Sequence, residues 1–157
     1  MKRWLITGLV CMMLGTAAYA TEALPESLRA AFLNEEANTE TVSGLVIVKF
    51  SFENCAPCKN LDQIFAQYDM ATYINARKVR FYEVNFMQER KLSPNLCTLW
   101  KINAVPQLLF FYNGKKVGQL NGFPMKRAEQ TQQEYEQKLN QTMSEIKTII
   151  NRYSTAQ

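Results

Sequence analysis

The chain has 157 residues, 47% of them hydrophobic and 20% charged, with a formal net charge of +4 and no histidine. The length fits one domain. The lack of histidine removes the commonest metal ligand and general base, and with them the usual zinc-hydrolase and Ser-His or Cys-His arrangements. Basic and acidic residues are interspersed as on an ordinary solvated surface, so nothing points to nucleic acid.

Residues 1–20 read MKRWLITGLVCMMLGTAAYA. Lys2 and Arg3 form a basic head, residues 4–15 are almost wholly apolar, and Ala18-Tyr19-Ala20 is a small-x-small cleavage signal. This is the pattern of a secretory signal peptide, with cleavage expected after Ala20 and export to the periplasm. The apolar run is too short to favour a membrane span, and no second apolar span follows. Cys11 is a poor lipid-attachment site, because Val10 stands where a small residue is expected. The expected mature chain, residues 21–157, carries 16 basic and 14 acidic residues, a net charge of +2.

Residues 26–37 place Leu28, Ala31 and Phe32 on one helical face behind Pro25. Residues 45–52, LVIVKFSF, are dominated by β-branched and aromatic side chains and read as a buried central strand. Residues 58–68 carry Leu61, Ile64, Phe65 and Tyr68 at the spacing of an amphipathic helix. A second strand is expected over 79–86. Ser93-Pro94 has the form of an N-cap followed by proline at the first helical position, opening a short helix to about Trp100. Strands over 107–112 and 115–120 flank Asn113-Gly114, the strongest short hairpin signal. A long polar helix follows over about 126–152. The first two strands, joined by a helix, should be parallel, and the last two should form a hairpin.

Export leaves three cysteines, Cys55, Cys58 and Cys97. An odd number suggests one pair and one free thiol. Cys55 and Cys58 close too small a loop to restrain the unfolded chain much, so stability is a poor reason for joining them. A zinc site would need two further ligands, and only one cysteine remains. No metal and no cofactor are implied.

The order of these elements, with Cys55-Ala56-Pro57-Cys58-Lys59 opening a helix after the central strand, Val105-Pro106 before strand 107–112 and Asn113-Gly114 after it, resembles the thioredoxin-like fold family. The segment Ser93–Lys115 is similar to the family's helix, cis-proline and hairpin almost position for position, and the resemblance covers residues 26–150. It implies an α/β fold with a central mixed sheet of about four strands flanked by helices, and a thiol–disulfide oxidoreductase. Cys55, at the helix N-terminus, would be the nucleophile, its thiolate favoured by the helix dipole and backbone N–H groups. Cys58 would resolve the mixed disulfide by attacking Cys55. Ala56, Pro57, Val105 and Pro106 would contact the substrate, with Pro106 cis and the Val105 backbone pairing with a client strand. The implied partners are protein thiols and disulfides and an upstream redox partner.

Lys49 lies in the central strand six residues before Cys55, where the thioredoxins usually have a buried aspartate that shuttles protons for the resolving cysteine. The family's companion lysine is matched on the neighbouring strand by Glu83. The pair therefore stands with its charges exchanged, and Glu83, held by Lys49, is the expected proton acceptor for Cys58. The alternative is a structural ion pair, or two side chains turned to solvent. Cys97 stands where the family usually has a small residue, and reads either as a buried apolar side chain or as a regulatory or intermolecular thiol. Asn54 and Ala56 replace the family's tryptophan and glycine beside the first cysteine, and no histidine lies between the cysteines as in the strongly oxidising relatives. The reading leans to a reductase, with a disulfide-forming oxidant of the same fold as the alternative. A non-catalytic binding or assembly module stays open as well, because fold does not fix function. About 27 residues make the last helix roughly 40 Å long, more than the sheet needs, so its polar remainder reads either as a frayed, solvated end or as a surface for a homodimer or partner contact.

Overall fold

The computed structural model describes Pro25, Glu26, Leu28 and residues 43–92 and 94–154. The expected signal peptide (residues 1–20) and most of the helix expected over 26–37 lie outside the described residues, although Glu26 and Leu28 are helical and Leu28 is buried. Among the described residues no helix is long and apolar enough to cross a membrane.

In chain order the elements are β1 (Leu45–Ser51), α1 (Ala56–Gln67), α2 (Met70–Ala76), β2 (Arg80–Asn85), α3 (Phe86–Leu92), α4 (Pro94–Leu99), β3 (Gln107–Tyr112), β4 (Lys115–Asn121) and α5 (Gln132–Ser154). The strands form one sheet in the order β2-β1-β3-β4. β1 runs parallel to β2 and antiparallel to β3, and β3 and β4 form a hairpin. Asn113 and Gly114 both take positive φ, 48° and 78°, as the tight hairpin turn demands. This is the mixed four-strand sheet, flanked by helices, that the family resemblance implies, with the parallel pair and the hairpin that the residue patterns predict.

Every residue of β1 is buried, because helices cover both faces of the sheet. Side chains alternate along the strand. Leu45 and Ile47 join one core with Leu61 and Phe65 of α1, Met70 and Ile74 of α2, and Leu139, Met143, Ile146 and Ile150 of α5. Val46, Val48 and Phe50 join the other with Tyr82, Val84, Trp100, Leu109 and Phe111. The same alternation turns Lys49 and Ser51 to the α1 face.

Two helices go beyond the sequence expectation. Asp69 adopts a left-handed conformation (φ 47°) that breaks the chain after α1, and Met70, Ala71 and Ile74 then bury one face of the short α2. α3 starts after Asn85, whose side-chain oxygen accepts the N–H groups of Met87 and Gln88 at 3.0 and 3.2 Å. That is an N-cap at a strand's last residue, where a strand reading masks it.

The last helix begins at Gln132, not near 126. Residues 122–131 form a connection that starts at Gly122 (φ 72°). The Asn60 amide pins it to α1 by donating to the Pro124 carbonyl, 3.1 Å away. From Leu139 onward α5 lies on α1 and α2: Tyr73 and Arg77 donate to Asn151 at 2.7 and 2.9 Å, and Tyr68 bonds Asn140. Its first two turns, rich in Gln and Glu, are the exposed part.

Candidate redox site

The site is built at one end of the sheet. β1 delivers the chain to residues 52–54, which turn it into α1, with the Cys55 N–H bonding the Phe52 carbonyl at 3.2 Å. Cys55 is the N-cap of α1, with extended backbone (φ −88°, ψ 100°). Ala56 and Pro57 fill the first two helical positions, and Pro57 there has no donor to lose. Cys55 and Cys58 are joined in a disulfide with Sγ–Sγ 2.06 Å. Both are 3% exposed. The Cys58 backbone N–H points at Cys55 Sγ, 3.1 Å away. It is one of the unpaired donors that a helix start leaves over, and here a sulfur takes the place of the usual capping oxygen.

The strand register brings the other predicted residues to the same end. Phe50 of β1 lies opposite Gln107 of β3, so the segment before β3 runs beside the segment after β1. That segment is Val105-Pro106, and its peptide bond is cis. Gly122 follows the residue paired with Gln107, and its N–H donates to the Pro106 carbonyl at 2.9 Å. Ala56 is exposed, Pro57 and Val105 are half-buried and Pro106 is buried.

Beneath α1 the exchanged pair is in place. Lys49 and Glu83 are direct neighbours across β1 and β2. Lys49 Nζ lies 3.0 Å from Glu83 Oε1, and the lysine is 1% exposed. Neither side chain of the pair is turned wholly to solvent, since Glu83 is 23% exposed. Two partners were not read from the sequence. Asp62 of α1 places Oδ1 2.5 Å from Lys49 Nζ, and the Ser51 hydroxyl donates to Glu83. Asp62 follows Cys58 by four residues and adjoins the buried stripe Leu61, Ile64, Phe65, a spacing that does not by itself say that it reaches Lys49. The backbone of Cys97 is in α4, and its side chain lies outside the described residues.

A cysteine disulfide at the N-terminus of the helix that follows a central strand defines a thiol–disulfide oxidoreductase centre. The profile of the Thioredoxin family matches residues 29–133, and the chain belongs to that family. A thioredoxin of Aspergillus fumigatus is 30% identical over 80 residues, 51% of this chain and 67% of that protein. A thioredoxin-like protein of Schizosaccharomyces pombe is 31% identical over 80 residues, which are 51% of this chain but 26% of that longer protein. Among solved structures, the thioredoxin of Malassezia sympodialis is similar with a TM-score of 0.46 at 22% identity, over 74% of this chain and 82% of that one.

Proposed function

We propose that this protein is an exported, periplasmic thiol–disulfide oxidoreductase that exchanges disulfides with client proteins through Cys55 and Cys58, working chiefly as a reductase. The observation that carries the reading is Cys55 as the N-cap of α1 with the Cys58 N–H aimed at its sulfur. The same N–H is placed to stabilise a thiolate at Cys55 once the disulfide is opened.

In the reducing direction the Cys55 thiolate attacks one sulfur of a client disulfide. A mixed disulfide forms, and the client's other sulfur leaves as a thiolate that takes up a proton. Cys58 then gives up its proton and attacks Cys55 Sγ. The second client thiol departs and the Cys55–Cys58 disulfide closes. Two electrons have passed to the client, and an upstream protein dithiol of lower potential restores them. Glu83, held by Lys49 and Ser51, accepts the Cys58 proton. The backbone of Val105, at the same end of the sheet, pairs with the client segment that flanks the attacked cysteine.

Insulin reduction by a dithiol donor tests the scheme. Cys55→Ser is expected to abolish turnover, and Glu83→Gln to slow it and move the midpoint of its pH–rate profile. Full activity in Cys55→Ser would end the oxidoreductase reading. An unmoved profile in Glu83→Gln would end the proton role alone.

A further inference from the structure

Ala56-Pro57 puts no charge between the cysteines, so any charge that biases the couple comes from outside the motif, and the ion cluster beneath α1 lies on that side. Lys49 and Glu83 alone would be a neutral pair. Asp62 turns them into a triad with one positive and two negative formal charges. Asp62 lies four residues after Cys58, so both side chains stand on the same side of α1, one turn apart. That side meets the sheet, because the Asp62 carboxylate reaches Lys49 on β1.

The charges turned toward this space are Asp62 from α1, Lys49 from β1 and Glu83 from β2. Ser51 adds only a hydroxyl, donated to Glu83. On β3 the residues on this face, Leu108 and Phe110, are apolar and buried. Asp62 is itself 52% exposed, but Lys49 holds its carboxylate against the sheet, whereas Glu53 and Lys59, the nearest charges along the chain, are exposed and screened by solvent.

A cation beside a thiol favours the thiolate, and a carboxylate opposes it. A lysine buried beneath a reactive disulfide would by itself stabilise the reduced, ionised form and make the couple oxidising. Here the ammonium is matched twice over. We propose that Asp62 is a positioning residue that sets this couple on the reducing side: it engages Lys49 and leaves a net negative charge beneath Cys58, which opposes ionisation of the dithiol and so favours the disulfide. The proposal rests on the oxidoreductase reading above and gives that reading its direction.

The test uses the full chain with Asp62→Asn, which removes one charge at nearly constant shape. The reduced-minus-oxidised thiolate absorbance isolates the Cys55–Cys58 pair from other thiols. Titrated with pH, it is expected to show an ionisation constant about tenfold larger in the variant. Equilibrium with glutathione above that transition is expected to move about tenfold toward the dithiol, which equals about 30 mV for a two-electron couple. Asp62→Glu, which keeps the charge, is expected to stay within about twofold of the parent. A change below about threefold in Asp62→Asn, a move toward the disulfide, or an equal shift in Asp62→Glu overturns the proposal. The underlying reading fails separately, through an active Cys55→Ser. An inactive Cys55→Ser beside an unshifted Asp62→Asn removes only the role of Asp62.

Discussion

Gln107 follows Pro106 directly and is wholly buried, yet neither the nitrogen nor the oxygen of its amide has a hydrogen-bond partner among the described residues. By strand alternation it shares a face with Leu109 and Phe111, inside an apolar core. A buried polar group left unpaired costs about 1–3 kcal/mol. Gln107→Met, similar in length and without polar atoms, is therefore expected to raise unfolding stability by about that amount. Chemical denaturation followed by tryptophan fluorescence measures it, and a loss of stability would show that the amide is satisfied. At this scale the sequence was informative wherever chemistry is spaced along the chain. Cys55, Cys58 and Pro106 were readable because motif and order are local. Lys49 stood out as a charge inside a strand, and Glu83 was singled out because it stands at the family's companion position on the neighbouring strand. Asp62 was not, because its role depends on which way α1 is rotated over the sheet, and that is fixed only by the packing of Leu61 and Phe65.

α5 begins in a closed capping arrangement. The Thr131 hydroxyl oxygen accepts the Glu134 N–H at 3.2 Å, and the Glu134 carboxylate accepts the Thr131 N–H at 2.9 Å and the Thr131 hydroxyl at 2.8 Å. These bonds satisfy donors that the helix start would leave unpaired. The backbone N–H of Thr131, and then its hydroxyl, hold the Glu134 carboxyl below its ordinary value near 4.5. A carboxyl lowered by folding adds stability above its unfolded pKa and loses it as pH falls through the folded one. Thr131→Ala is expected to cost about 1 kcal/mol at neutral pH through the lost cap, with the difference from the parent shrinking in acid as Glu134 is protonated. Thermal melts at several pH values check both signs. The Thr131-Gln132-Gln133-Glu134 signature was in the sequence, and it marks the true helix start better than the helical spacing that runs on from 126. Ala128 fits the period but lies in the exposed connection, where periodicity has no core to face. The strands were the most legible elements, since β-branched and aromatic runs with an Asn-Gly turn leave few alternatives. The short helices α2 and α3 were hidden, one by a left-handed aspartate and the other by direct fusion to β2.

Across the molecule, three chain segments reach the redox end for one topological reason: β1 and β4 run toward it, and β3 starts from it. The CxxC turn, Val105-Pro106 and Gly122 are thus neighbours without any being close in sequence. Export is argued at this scale too, because it concerns the chain as a unit. On the proposed reading, protein recovered from the periplasm of a Gram-negative host starts at Thr21 and has the mass of residues 21–157 with one disulfide. A product that keeps residues 1–20 and stays in the cytoplasm would count against it.

Lys49 is the one buried lysine among the described residues, and both of its carboxylate partners come from other elements. Amine-reactive reagents should modify the surface lysines and spare this one while α1 rests on the sheet. Its acylation would then act as a clock for the lifting of that helix, reporting how often the redox end of the protein breathes.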